Sequence, residues 1–214
     1  MHKVNEAIQV IICSLVLAAV AIWLPYYQVE TGSLLNQYDF AQALAWQEPW
    51  RLVTAHIFHL DARHALYNAL GLVVVCVFFA RHFDVRTWLN AILVIATLCS
   101  ILVWLVGVPE RFVGLSGLIH GLLVMSLLLE WAKQKYSFND WLPPLSIALL
   151  TLKVVLEIAG LLDSQILLSQ GNTFGYVHGA GLVAGVVAWR LHRRRLASLA
   201  ITPSKSTATD NSRE

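Results

Sequence analysis

The chain has 214 residues, of which 57% are hydrophobic and only 13% charged. Soluble domains carry roughly 25% charged residues, and with a mean hydropathy of +0.64 the chain lacks the charge to cover a globular surface. Cys13, Cys76 and Cys99 are an odd set inside apolar runs, which excludes a secreted disulfide scaffold. A net charge of +2, with the basic residues beside apolar runs, argues against nucleic acid as a partner. What remains is an all-α, polytopic membrane protein of one domain.

A membrane crossing takes about 17–25 mostly apolar helical residues. Six stretches fit in chain order: Ala7–Leu24, Ala65–Ala80, Trp88–Val108, Leu115–Trp131, Trp141–Leu162 and Phe174–Leu191. The second is short, but the residues before it can extend it as a helix. Pro25-Tyr26-Tyr27 is no small-residue cleavage site, so the first is a retained span. Trp23, Trp88, Trp104, Trp131, Trp141 and Trp189 fall near segment ends, as an interfacial belt should. Residues 1–6 form a short N-terminal tail and 7–191 the membrane domain. Residues 25–62 are expected to form a long outer loop. Residues 192–214 are basic and then, from 196, polar and expected to be disordered.

Orientation follows from Lys and Arg. With both termini cytoplasmic, that side holds Lys3, Arg81, Arg86, Lys133, Lys135, Arg190, Arg193, Arg194, Arg195, Lys205 and Arg213. The other side holds only Arg51, Arg63 and Arg111, and Lys153 lies within a span. The positive-inside rule selects this topology.

Polar groups at membrane depth are functional candidates. In Gly114-Leu115-Ser116-Gly117, Gly114 permits a tight turn, and the Ser116 amide sits near a helix N-terminus, where it can donate to a developing negative charge. A helix cap followed by small packing residues is the plainer alternative. His178 lies in an apolar span and can take a hydroxyl proton as a neutral imidazole. Gly175/Gly179 and Gly181/Gly185 are spaced four apart, and Gly117 and Gly121 offer a matching groove, so Ser116 and His178 could be brought together. A packing stripe with a carbonyl-bonded histidine competes with this. His64 and Asn68 are also four apart, on one helix face, and both can donate to an oxyanion. His56, His59 and His64 do not have the spacing of a zinc helix, and only Asp61 lies near enough to complete such a site, so metal is the lesser alternative. Lys153 and Glu157 are four apart and are expected to pair with each other or bond inside the bundle. Glu157 is given no catalytic place, because the sequence does not set its depth relative to His178.

Trp50-Arg51, His64-x-x-x-Asn68, Gly114-x-Ser116-Gly117 and His178-x-x-Gly181 stand in this order on separate segments. Together they resemble the rhomboid family of intramembrane serine proteases, from the first span to the sixth. The resemblance implies a six-transmembrane-helix bundle with a Ser–His dyad in a water-filled cavity open to the outer side. Ser116 takes the place of the nucleophile and His178 that of the general base. His64, Asn68 and the Ser116 amide take the places of the oxyanion hole. No acidic third member, metal or cofactor is implied.

The string Gly114-Leu-Ser-Gly-Leu-Ile-His120-Gly121 is similar to the rhombosortase subfamily. His120 stands where many rhomboids have an aromatic residue stacked on the base, and is expected to orient it. This narrower resemblance implies the inner membrane of a Gram-negative bacterium. It also implies substrates anchored by a C-terminal GlyGly-CTERM sorting tail, cut near the outer boundary through an acyl-enzyme. A general rhomboid with other substrates, a silent rhomboid-like binder or chaperone, and a small transporter are the alternatives. The last should show a broken helix or an inverted repeat, and neither is visible.

Overall fold

A computed structural model of the chain describes residues 2–31, 34–133, 138–162 and 173–201. Lys135, Lys205, Arg213 and the tail from 202 lie outside the described residues. The long elements are α-helices: α1 (His2–Thr31), α4 (Ala62–Phe79), α5 (Val85–Val106), α6 (Ser116–Trp131), α7 (Leu142–Ile158) and α8 (Thr173–Ile201). Between α1 and α4 lie two short helices, α2 (Leu34–Tyr38) and α3 (Arg51–Thr54), and a short strand, β1 (Phe40–Ala41). A second strand, β2 (Arg111–Phe112), precedes α6.

Among the described residues three helices are long and apolar enough to cross a membrane, over Lys3–Tyr27, Ala62–His82 and Val85–Val106, and Ser116–Trp131 is a shorter apolar helix. Their outer faces carry exposed Ile8, Ile12 and Leu15 on α1, Leu66, Leu70 and Val74 on α4, and Leu89 and Leu93 on α5. Such apolar surface is unfavourable in water and is what a lipid-facing helix presents.

Local chemistry sets the helix starts. The Asp61 carboxylate caps α4 by accepting from the His64 amide at 2.9 Å. Asp84 caps α5 by accepting from the Thr87 amide at 2.6 Å. Each satisfies one of the orphan amides of a first turn. Gly107 ends α5 in the left-handed conformation, at φ 81°.

The segment expected to be an outer loop from 25 onward is partly helical. α1 runs through Pro25 to Thr31. Tyr27 stacks on Trp23 one turn earlier, with centroids 4.9 Å apart, and this contact favours continuation of the helix across the proline. At the other end, α8 continues past Leu191 through the basic run to Ile201, where an irregular tail was expected. The tryptophans also divide. Trp23, Trp131 and Trp141 are exposed, but Trp88 faces inward and is buried in the core.

β1 and β2 pair antiparallel, Phe40 opposite Phe112, and these two rings stack at 4.7 Å. The ribbon fastens the α1–α4 connection to the segment that leads into α6. Arg51 is the main polar fastener. Its guanidinium donates to the Asp39 carboxylate (2.8 Å), the Asp39 carbonyl (2.9 Å), the Asn36 carbonyl (2.9 Å) and Glu48 (2.5 Å). Arg111 reaches the other Asp39 oxygen at 2.7 Å. The Trp50-Arg51 motif is therefore a structural clasp on this segment. The buried Arg51 is tolerable because its fork of donors finds four acceptors.

Candidate active site

Ser116 opens α6, directly after the turn at Gly114, where φ is +123°. Glycine is needed there for two reasons. A side chain is strained at this φ, and a Cβ would come within 2.7 Å of His64 Cε1 and 2.9 Å of His64 Nε2. The turn is anchored on both sides. The Gly114 amide donates to the Ala55 carbonyl at 2.8 Å, and the Leu115 amide to His59 Nε2 at 3.3 Å. The first amides of a helix have no partner inside it, and the described residues give the Ser116 amide none.

α4 brings His64 and Asn68 to the same turn. Asn68 Nδ2 would lie 3.3 Å from a Cβ on Gly114. Both side chains are buried, and Asn68 Nδ2 and His64 Nδ1 have no hydrogen-bond partner among the described residues. An unpaired buried polar group costs about 1–3 kcal/mol. Both side chains lie at the turn that leads into Ser116.

α8 brings His178. It packs on α6 through the glycines, but not all of them serve alike. A Cβ on Gly117 would lie 2.9 Å from Val177 Cγ1 and 3.1 Å from the Val177 carbonyl oxygen. Cβ atoms on Gly181 and Gly185 would overlap the carbonyl groups of Gly117 and Gly121 on the facing helix. Gly121 in turn sits against the Gly181 carbonyl, where a Cβ would come within 2.8 Å of the oxygen. Backbone meets backbone here, as small residues permit. Gly179, expected in the same stripe, faces elsewhere: a Cβ there would meet only Val154 Cγ1 at 3.5 Å and Ile158 Cδ1 at 3.7 Å, ordinary contacts toward α7. The closest α6–α8 approaches are Gly181 on Gly117 and Gly185 on Gly121, and the same crossing sets Gly117 against Val177, the immediate neighbours of Ser116 and His178. Among the described residues the Ser116 hydroxyl makes no hydrogen bond.

His120 lies one turn along α6 from Ser116, and its ring stacks on His178 with centroids 4.2 Å apart and planes 13° from parallel. His120 Nδ1 lies 2.7 Å from the Ser116 carbonyl oxygen and donates to it.

The unforeseen member is Glu157. No acidic residue of α6 or α8 is near His178, but Glu157 reaches it from α7, with Oε2 at 2.8 Å from His178 Nδ1. The Lys153–Glu157 pair forms as expected, at 2.7 Å, yet it is not self-contained, since Lys153 Nζ also lies 3.2 Å from His120 Nε2. The signal in the sequence was an acid and a base one turn apart in an apolar helix. Their depth relative to His178 was not readable.

The other histidines are structural. His56 Nε2 lies 3.0 Å from the Ala96 carbonyl and 3.1 Å from Ser100 Oγ, and His59 supports the turn before Ser116. Asp61 is the α4 cap. No three His, Cys, Asp or Glu among the described residues are grouped to hold a metal ion. All three cysteines are free, and Cys99 is a buried spacer beside Gly117. A cavity of about 210 Å³, lined in part by Leu60, Arg111, Val113, Thr173 and Phe174, adjoins the turn before Ser116.

These features define a helical membrane protein with a serine–histidine site set between its helices. The model of the Rhomboid domain matches residues 46–195, which include every site residue described above, and the chain belongs to the rhomboid family. Rhomboid proteins are generally intramembrane serine proteases that act on membrane-protein substrates within the bilayer. No curated protein matches the chain.

Proposed function

We propose that this protein is an active intramembrane serine endopeptidase of the rhombosortase kind. It cuts single-span substrates near the outer membrane boundary, and its substrates are exported proteins held by a GlyGly-CTERM sorting tail. The observation that carries the proteolytic part is the convergence at one turn of Ser116, its unpartnered amide and the unpartnered groups of His64 and Asn68, beside the α6–α8 contact that carries His178.

The chemistry follows from these groups. Ser116 Oγ attacks the scissile carbonyl carbon as its proton passes to His178 Nε2. The new C–O bond leaves a negative charge on the carbonyl oxygen, which the Ser116 amide, His64 and Asn68 receive. The C–N bond breaks, His178 gives the proton to the leaving amine, and an acyl-enzyme remains. Water, activated by the same histidine, then releases the acid. Lipid supplies no water, so polar side chains must line the cavity where this happens. α6 has 16 residues, about 24 Å at 1.5 Å per residue, shorter than a bilayer core of about 30 Å; in this proposal the shortfall lies at its N-terminal end, so that Ser116 is recessed below the outer boundary. Asn68→Ala removes one oxyanion donor and should lower the rate about 10²–10³-fold. Comparing initial cleavage rates in membranes, against Ser116→Ala as the blank, checks this.

The bundle has six spans in this proposal, with α7 and α8 completing the set, in a bacterial inner membrane. Both termini are cytoplasmic and the site opens to the periplasm. Arg81 and Lys133 gather at one end of the bundle around Glu130 and His82, while Arg51 and Arg111 share Asp39 in the ribbon that leads to the start of α6. The excess of basic residues on the first side supports that orientation. Reporter fusions at Tyr38 and at Ser198 should report opposite compartments. Tyr38 should report the periplasm and Ser198 the cytoplasm; equal exposure of both, or the reverse pair, would overturn the orientation.

A substrate span must unwind to reach Ser116, and glycine favours the helix by about 1 kcal/mol less than alanine does. A glycine pair near the outer boundary therefore places the cut. Co-expression with a tailed reporter, followed by mass spectrometry of the released C-terminus, should show cleavage near the glycines, and replacing them by leucines should block it. Equal cutting of the leucine tail would refute this substrate and leave a rhomboid protease of other specificity.

A further inference from the structure

Four side chains from three helices form a chain of hydrogen bonds that starts at the Ser116 carbonyl and ends at the proposed base. His120 Nδ1 lies 2.7 Å from the Ser116 carbonyl oxygen. A carbonyl can only accept, so Nδ1 carries the proton and Nε2 of His120 holds the lone pair. Lys153 Nζ donates to that lone pair at 3.2 Å. The same ammonium meets Glu157 Oε1 at 2.7 Å, and Glu157 Oε2 faces His178 Nδ1 at 2.8 Å.

The protonation of His178 follows by elimination. Lys153 Nζ is 3.3 Å from His178 Nδ1, so this nitrogen could accept from Lys153 or donate to Glu157. The carboxylate is the nearer partner and has no proton to give. A lone pair on Nδ1 would face a carboxylate lone pair at 2.8 Å. Nδ1 therefore carries the proton, and in the neutral ring Nε2 is the free base nitrogen. His120 has no free lone pair, since one nitrogen donates to Ser116 and the other accepts from Lys153. The stacked ring cannot compete for the serine proton.

The backbone is arranged for this contact. A Cβ on Gly175 would come within 2.8 Å of the Ile158 amide nitrogen and 3.1 Å of the Glu157 carbonyl carbon. The missing side chain lets the start of α8 lie against the end of α7 where Glu157 projects. Glu157 and His178 are both buried, and Lys153 and Glu157 share one face of α7 by their spacing.

We propose that Glu157 is a positioning residue of the hydrolysis, holding His178 in the tautomer that presents Nε2 to Ser116, and that Lys153 fixes both this carboxylate and the stacked His120. The inference rests on Ser116 and His178 acting as proposed above. It makes the site a buried Ser–His–Glu arrangement in which the acid comes from a third helix and is itself clasped by a lysine.

The test uses the full chain purified in detergent and the rate at which a fluorophosphonate probe labels Ser116, with Ser116→Ala as the blank and a melting temperature for every variant. Glu157→Gln can turn its amide donor to Nδ1 and select the wrong tautomer, and a comparable exchange in a serine protease costs about 10⁴-fold. Labelling should fall on the order of 10²–10⁴-fold in Glu157→Gln and recover in part in Glu157→Asp, which keeps the charge. A packing role predicts the reverse order, because Gln is isosteric and Asp is not. Labelling of Glu157→Gln as fast as wild type, or faster than Glu157→Asp, would overturn the proposal. Nitrogen-15 spectra of histidine-labelled wild type supply a measurement independent of those variants. The resonances lost in His178→Asn should show Nδ1 protonated, and protonation at Nε2 would overturn the proposal. Absence of any Ser116-dependent labelling in wild type would instead overturn the protease assignment beneath it.

Discussion

Ser116→Ala and His178→Ala should each abolish detectable cleavage of a tailed reporter, and the double variant should be no worse than either. In the proposed mechanism the two groups act as one unit: without the hydroxyl there is no acyl-enzyme, and without the imidazole the hydroxyl keeps its proton. The losses are therefore strongly non-additive. The backbone contact between α6 and α8 is made by Gly117, Gly121, Gly181 and Gly185, so both variants should insert and Ser116→Ala should melt close to wild type, whereas His178→Ala removes the ring stacked on His120 and the partner of buried Glu157 and should melt lower. The measurement is reporter cleavage in membranes alongside thermal unfolding in detergent. Full cleavage by a well-folded Ser116→Ala protein would remove this serine from the mechanism.

The second large effect should come from a single methyl group. In Gly181→Ala the new Cβ overlaps the Gly117 carbonyl group, and its other close neighbours are also Gly117 backbone atoms. No rotamer can relieve that, so α6 and α8 must separate. Overpacking costs typically about 1–3 kcal/mol, and this case belongs at or above the top of that range because what must move is a helix. Separation also draws His178 away from Ser116, so activity should fall with stability. Gly179→Ala is the control. Its methyl finds van der Waals contact at 3.5 Å and 3.7 Å, and alanine is the better helix former by about 0.8–1.0 kcal/mol. It should be neutral to slightly stabilising. Two glycines only two positions apart are thereby predicted to differ in sign, and thermal melts of both variants decide the matter. Similar melting temperatures for the two would mean that the helix rotation is not as described.

Much of this protein is legible in its sequence because the relevant interactions are local. Apolar runs mark helices wherever they fold. Pairs spaced by four share a helix face whatever the helix packs on, and three such pairs, His64/Asn68, Ser116/His120 and Lys153/Glu157, are read from numbering alone. Glycine at 114 before a helix start marks a turn. Two local expectations failed because neighbouring contacts outweighed intrinsic signals. Pro25 did not stop α1, where Trp23 and Tyr27 stack across it. Trp88 did not join the interfacial belt, since it turns into the core.

The residue order thus yields a set of apolar helices and the polar groups that share a face on each. Which faces meet depends on how the helices pack. Glu157 reaches His178 because α7 and α8 pass close at Gly175, and no periodicity along either helix contains that distance. Gly179 and Gly181 look equivalent in a small-residue stripe, yet about 100° per residue turns one toward α7 and the other into α6. The physical reason is that helix formation depends on hydrogen bonds four residues apart, whereas helix rotation, depth and crossing depend on contacts between residues far apart in the chain. The placement of the acid beside the base belongs to the second kind.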